Sequence, residues 1–258
     1  MSSSLAGRVA IVTGAGRGIG RAIAIHLGSC GAQVVVSSRT SSELEDVLRA
    51  VREVGSDGLA VVADATDRDG AKAPVHAALR VYGQVDVLVN NVGGRVHTNH
   101  DPYTCDEDVV EQHLLLNVTS GWWTTREVLP HMRARGHGRI IYIGSGASKR
   151  SGAPLAYTAA KHAVVGMTRS LAASTGTDGI TVNCLCPGWT NTPHNDFALI
   201  GQRWGVSASE ARARAESENL QHRVLEPEEL TAMVALLASE DGRGITGQVI
   251  SVDGGYKV

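Results

Sequence analysis

No apolar run in the chain approaches the roughly 20 residues that a membrane-spanning helix requires, which argues against a membrane protein. Net charge is also scarce: a formal −2 over 258 residues offers no general attraction to nucleic acid or to an anionic membrane surface. Aromatic residues make up only 4% of the chain while glycines number 30, a balance that suits tight turns and close helix-on-sheet packing better than a β-sandwich. The four cysteines, Cys30, Cys105, Cys184 and Cys186, show neither a paired framework nor zinc-ligand spacing, so no metal site is expected. Cys184 and Cys186 alternate along what reads as a buried strand and are expected to be core residues. The opening "MSSSLAGRVAIVTG" lacks a basic leader followed by an apolar core and a small-residue cleavage site. A reducing, cytoplasmic setting is the resulting expectation.

What the chain does contain is a regular alternation. Short β-branched runs ("RVAIVT", "QVVVS", "GLAVVA", "VDVLVN", "RIIYIGS", "GITVNCLCP", "QVISVDGG") are separated by helical patterns, including "SSELEDVLRAVREV", "AKAPVHAALRVY" and a long helix near Asp106 to Arg135. Continuous apolar strands between helices imply parallel strands buried on both faces, hence an α/β, Rossmann-like, doubly wound sheet of seven strands flanked by helices on both faces. No repeat, low-complexity tract or linker divides residues 1–258, and a single domain is expected. The stretch from about 191 to 226 breaks the alternation: "EARARAESENLQHR" reads as polar helix with no strand before it. Placed near the carboxyl ends of the strands it would form a substrate lid; an ordinary surface helix is the other reading.

After the first strand comes "TGAGRGIG", with Gly14, Gly16, Gly18 and Gly20. Ile19 stands where G-x-G-x-x-G requires its third glycine, so the pattern is T-G-x-x-x-G-x-G. Glycines let a turn approach a pyrophosphate, and the N-terminus of the helix that follows offers N–H donors and partial positive charge. Position between strand and amphipathic helix makes dinucleotide binding the better reading. The second strand ends "VVVSSRT": Ser38 occupies the place of the acid that would hold a free ribose 2′-hydroxyl, Arg39 follows it, and Arg17 lies in the turn. Guanidinium groups match phosphate geometry, so NADP(H) is favoured over NAD(H).

In "LAYTAAKHAVVGMTRSLA", Tyr157 and Lys161 stand four apart, on one face of a helix. Together with "TGAGRGIG", "NNVGG", "YIGS" and "PGWTNT", in this order over essentially the whole chain, the pair makes the sequence resemble the short-chain dehydrogenase/reductase family, including its β-ketoacyl and carbonyl reductases. The resemblance implies a catalytic tetrad: Tyr157 as general acid/base, Lys161 supporting it and holding the nicotinamide ribose, Ser145 orienting the carbonyl, Asn117 supporting a proton relay. A phenol ordinarily titrates near about 10, and an ammonium and a positive nicotinamide ring beside it favour the phenolate. The resemblance also implies cofactor contacts from Gly14, Arg17, Gly18, Ile19, Gly20, Ser38, Arg39, Asp64, Ala65, Asn91, Tyr157, Lys161, Pro187, Gly188 and Thr192. Val92 replaces the alanine of the usual N-N-A-G. A homotetramer or homodimer is implied too, through the Tyr157 helix and the last strand.

The substrate is less legible. Arg95, His97, Lys149 and Arg150 lie in segments expected to rim the pocket and would suit an anionic substrate or a phosphopantetheine, or be solvated loop charges. Trp189 would wall the pocket beside the nicotinamide, and His194 is a candidate donor. The expected function is hydride transfer between NADP(H) and a small-molecule carbonyl or secondary alcohol, in the direction of ketone reduction with Tyr157 as acid. Oxidation of a secondary alcohol or hydroxy acid is the alternative. The non-enzyme alternative, a dinucleotide-binding regulator, is disfavoured by the complete tetrad.

Overall fold

A strand with apolar residues at every position can be buried only if helices cover both faces of its sheet, and successive side chains then serve two different cores. The computed structural model describes residues 4–96, 99 and 101–257, and this division runs through all of it. The strands are β1 (Val9–Thr13), β2 (Gln33–Ser38), β3 (Gly58–Val62), β4 (Val87–Asn90), β5 (Gly138–Ile143), β6 (Ile180–Pro187) and β7 (Val249–Val252). They form one seven-stranded sheet in the order β3-β2-β1-β4-β5-β6-β7, every pairing parallel. Ala10 and Val12, Val34 and Val36, Val87 and Val89, and Ile141 and Ile143 point to one core. Val9 and Ile11, Val35, Leu88, and Ile140 and Tyr142 point to the other, together with Cys184 and Cys186.

Helices α1 (Gly18–Ser29), α2 (Ser41–Glu53) and, near the end of the chain, α9 (Thr231–Ala238) cover the first core. Each contributes a stripe at helical spacing, such as Leu44, Val47, Leu48 and Val51. The second core is closed by α3 (Arg68–Tyr82), α5 (Ser120–Arg135) and α6 (Leu155–Thr175). Chain order reverses direction between β1 and β4, and at such a switch point the connections leave a crevice outside the carboxyl ends of the strands.

Two elements depart from the simple reading. The long helix before β5 is α4 (Val109–Leu114) joined to α5 by a π-helical turn over Leu115–Thr119, the kind of local widening that often marks a working site. In the irregular insert, α8 (Ala208–Ser217) is the expected polar helix, and it is preceded by a short helix, α7 (Phe197–Trp204). Both ends of the insert are tied together: Thr190 bridges to Leu225, Asn191 N–H donates to Leu225 O at 2.8 Å, and Leu225 N–H to Trp189 O at 2.9 Å. Among the described residues no helix is long and apolar enough to cross a membrane.

Candidate active site

The crevice at the switch point is a continuous cleft of about 720 Å³ that runs from the end of β2, past the glycine turn, to the start of α6. Its glycine end is built by backbone packing. Asn91, just after β4, donates through Nδ2 to the carbonyls of Thr13 (3.0 Å) and Gly14 (2.9 Å). The Thr13 hydroxyl accepts from Asn91 N–H at 3.1 Å and Val92 N–H at 3.3 Å. Gly14 has φ +63°, a left-handed conformation that favours glycine. A Cβ on Gly20 would collide with the Gly14 carbonyl and lie 2.5 Å from Asn91 Nδ2. Arg17, the residue before α1, gives the helix no side-chain cap, and no acid stands in its first turn. An uncapped N-terminus beside a glycine-lined wall fits a pyrophosphate.

Ser38, Arg39, Asp64 and Ala65 line the outer end of this cleft, as does Arg17. The Asp64 carboxyl is held below its usual range by the N–H and hydroxyl of Thr66, with a smaller pull from Arg39, so it organises its own loop as well as facing the cleft. Glu43, unanticipated from sequence, also lines this end, with Oε1 3.9 Å from Arg17 Nη1. It belongs to the first turn of α2, and every helix that follows a parallel strand starts at the carboxyl edge; that rule is the signal that would have found it.

At the other end Lys161 is 4% exposed. Its Nζ donates to the Ile143 carbonyl at 3.0 Å and lies 5.8 Å from the centre of the Tyr157 ring. The i, i+4 spacing thus brings the ammonium beside the phenol, while its resolved hydrogen bond goes to the end of β5. Ser145 caps a 3₁₀ turn (Gly146–Ser148), its Oγ accepting from Ala147 N–H at 3.2 Å. Ser145, Tyr157 and Lys161 line the same cleft as Pro187, Gly188, Thr192, Ile19 and Gly18.

Asn117 and Gly20 do not line the cleft; they stand behind it. Asn117 sits in the π turn, accepts from Gly94 N–H (2.9 Å), and donates to the carbonyls of Gly94 (2.9 Å) and His113 (3.0 Å). A Cβ on Gly93 would fall 2.8 Å from Asn117 Oδ1 and 3.0 Å from Lys161 Nζ, so glycine alone lets this loop pass between them. His113, one helical turn earlier and missed from sequence, extends the clamp: Val96 N–H donates to its Nε2 at 3.2 Å, and its Nδ1–H donates to Val109 O at 2.7 Å. Its ring meets the Tyr157 ring edge-on at 6.4 Å. Spacing of four from Asn117 was the available clue.

The expected rim is only partly right. Arg95, Trp189 and His194 line the cleft. Lys149 and Arg150 turn elsewhere, Lys149 Nζ donating to Ser251 Oγ at 2.8 Å and Arg150 lying 4.0 Å from Asp253. His97 lies outside the described residues. The insert supplies Thr192, Asn195, Arg203, Trp204 and Glu218 to the cleft wall, and Tyr256 comes from the C-terminal segment. Trp189 packs edge-on against Trp204 at 6.2 Å and donates from Nε1 to Glu218 Oε2 at 2.7 Å.

Residues 14–257 match the model of a family described as enoyl-(acyl carrier protein) reductase. The chain is 36% identical over 250 residues to the short-chain reductase protein NovJ of Streptomyces niveus, covering 96% of this chain and 93% of NovJ. In structure it is similar to levodione reductase, with a TM-score of 0.91, 30% identity, and coverage of 96% of this chain and 97% of that one. It is also similar to a protein described as a "putative NAD(P) dependent gluconate 5-dehydrogenase" from Beutenbergia cavernae, solved with NADP bound at low occupancy (TM-score 0.88, 36% identity, 97% of each chain). The chain belongs to the short-chain dehydrogenase/reductase family, and is an oxidoreductase of the kind that works with nicotinamide cofactors.

Proposed function

We propose that the protein is an NADP(H)-dependent carbonyl reductase. The observation that carries the reading is the continuity of one cleft from Arg17 and Arg39 at its outer end to Ser145, Tyr157 and Lys161 at its inner end. Gly14, Gly18 and Ile19, with the uncapped start of α1, would hold the pyrophosphate, and Asn91, Pro187, Gly188 and Thr192 the nicotinamide half. Arg17 and Arg39 would take a 2′-phosphate, for which Ser38 leaves room and no competing charge. Glu43 opposes this in part, because it pairs with Arg17 and repels a phosphate.

When bound, the cofactor supplies the hydride that reduces a carbonyl carbon. Tyr157 gives its phenolic proton to the carbonyl oxygen, and Ser145 donates a hydrogen bond to that same oxygen. Lys161 sets a buried positive charge beside the phenol and so favours the phenolate left by proton transfer. Asn117 acts as a positioning residue: it clamps Gly94 through both backbone groups and so holds the preceding Gly93 in the gap beside Lys161. Residues 191–226, pinned at both ends and edging the inner cleft, serve as a lid over the substrate.

Tyr157→Phe tests the assignment. NADPH-dependent reduction of ketones is expected to fall by at least about 10²-fold, the low end of what general acid catalysis contributes, with NADPH affinity held. Retained turnover would remove Tyr157 as the acid. The oxidative reading, with a secondary alcohol or hydroxy acid as substrate, is favoured by the likeness to the gluconate dehydrogenase. A parallel screen of alcohols with NADP⁺ and ketones with NADPH decides between the two.

A further inference from the structure

We infer that the inner end of the cleft is made for a carbonyl compound bearing an anionic group, and that Arg95 binds that group. This rests on the carbonyl-reductase reading and adds the class of substrate. Arg95 stands between two loop residues whose backbone groups are hydrogen-bonded to side chains of the helix behind them. Gly94 before it is held through both its N–H and its carbonyl by Asn117, and Val96 after it donates to His113. With the backbone anchored on both sides, the side chain leaves the loop from a fixed point.

The guanidinium lies over the Trp189 ring at 5.7 Å, and its resolved hydrogen bond is a long one from Nη2 to Asn195 Oδ1 at 3.4 Å. Among the described residues no carboxylate comes within 4.0 Å of it. Burial is the main influence pulling its pKa down; the nearby phenols of Tyr157 and Tyr256 counter it in part, and Arg203, on the cleft-lining part of the insert, adds repulsion. The acid of this region is already committed: Glu218 accepts from Trp189 Nε1 at 2.7 Å and pairs with Lys257 at 3.1 Å. Arg95 therefore presents a planar fork of donors, largely removed from water and without a counter-ion, in the cleft that Tyr157 also lines. A buried charge left without a partner is costly, and a carboxylate or phosphate on the substrate would satisfy it in the paired geometry that guanidinium favours. The cation–π contact with Trp189 helps hold the guanidinium in the cleft.

The test uses three probes of matched shape: an aromatic keto acid, its methyl ester and the corresponding keto phosphonate. Each is titrated against the protein at saturating NADP⁺ by tryptophan fluorescence, and each is assayed for NADPH-dependent reduction. The keto acid or the phosphonate is expected to bind at least about 10-fold more tightly than the ester, and which of the two is preferred identifies the anion. Arg95→Gln should weaken the anionic probe by about 10- to 100-fold while changing ester and NADPH binding by less than about 2-fold. Arg95→Lys, which keeps the charge but loses the fork, should fall between. Equal binding of acid, phosphonate and ester overturns the inference. So does an Arg95→Gln variant that weakens all probes alike or that weakens NADPH instead. If the anion preference depends on Arg95 and yet no probe is reduced, the anion site stands and the carbonyl-reductase reading fails.

Discussion

The two edges of the sheet handle charge in opposite ways. At the amino edge, Asp86 is fully buried and accepts from Val9 N–H (2.9 Å), Gln84 (3.0 Å), Arg8 (3.1 Å) and Arg135 (3.2 Å). Arg8 also reaches Glu240 at 2.9 Å, and Arg139 reaches the same carboxylate at 3.4 Å. Cations and acids there close on one another across the starts of β1, β4 and β5. At the carboxyl edge, among the described residues, Arg95 has no such acid and Arg17 has only Glu43 at 3.9 Å. Each edge uses the same residue types. One uses them to hold the strands in register; at the other, the cleft residues Arg95 and Arg17 keep donors open for molecules that come and go, beside pairs such as Lys257–Glu218.

Breaking the closed edge should produce the largest effect. Asp86→Ala removes the buried acceptor of the β1 N–H and of Gln84 and takes one partner from each of Arg8 and Arg135, which costs about 1–3 kcal/mol of folding stability. A urea titration reads this as a lower midpoint, whereas NADPH affinity of the folded protein at low temperature should stay near wild type. Loss of binding without loss of stability would erase the distinction between the edges. A smaller change sharpens the open edge. Glu43→Gln removes the one acid facing Arg17, and NADPH should bind about 2–5-fold more tightly, as expected for a solvent-exposed pair. NADH, without the 2′-phosphate, should gain less. If both cofactors respond equally, Glu43 does not report on the phosphate and the assignment of that end is wrong.

How far each edge could be read from sequence differs for physical reasons. The seven strands and their parallel pairing were legible because continuous apolar runs between amphipathic helices have few other solutions. The placement of Gly14 in the turn after β1, and of Tyr157 and Lys161 on one helix face, was legible because these spacings are local, one turn or one helix apart. What escaped is set by the third dimension. Glu43 belongs to a helix whose first turn happens to face the glycine loop, and His113 matters only because a loop 17 residues away in sequence crosses it. The π turn at Asn117 has no evident signal in "LLLNVTS". Arg95, Lys149 and Arg150 looked equivalent as loop cations, and only the fold separates the one in the cleft from the two directed to β7 and its flank.

The smallest expected effect lies at the closed edge and concerns protons. His137 sits beside Arg139, Arg8, Asp86 and Glu240, with its Nδ1 3.6 Å from Glu240, and its Nε2 is buried without a partner. Burial lowers its pKa most, the two arginines lower it further, and the two acids counter only in part. The unfolded chain therefore binds a proton at this residue more readily than the folded one. Its contribution to stability is complete above the ordinary histidine value of about 6.5, and is lost as pH falls from there through the lower folded value. Urea midpoints at pH 7.5 and 5.5 should accordingly decline, and His137→Gln should make that decline shallower. His26, also lowered by burial, keeps a residual slope of the same sign in the variant. NADPH affinity at either pH should not respond to His137→Gln, because the residue lies across the sheet from the cleft. An unchanged stability slope would mean that the amino edge admits a charged imidazole after all, and that its network is less closed than its distances imply.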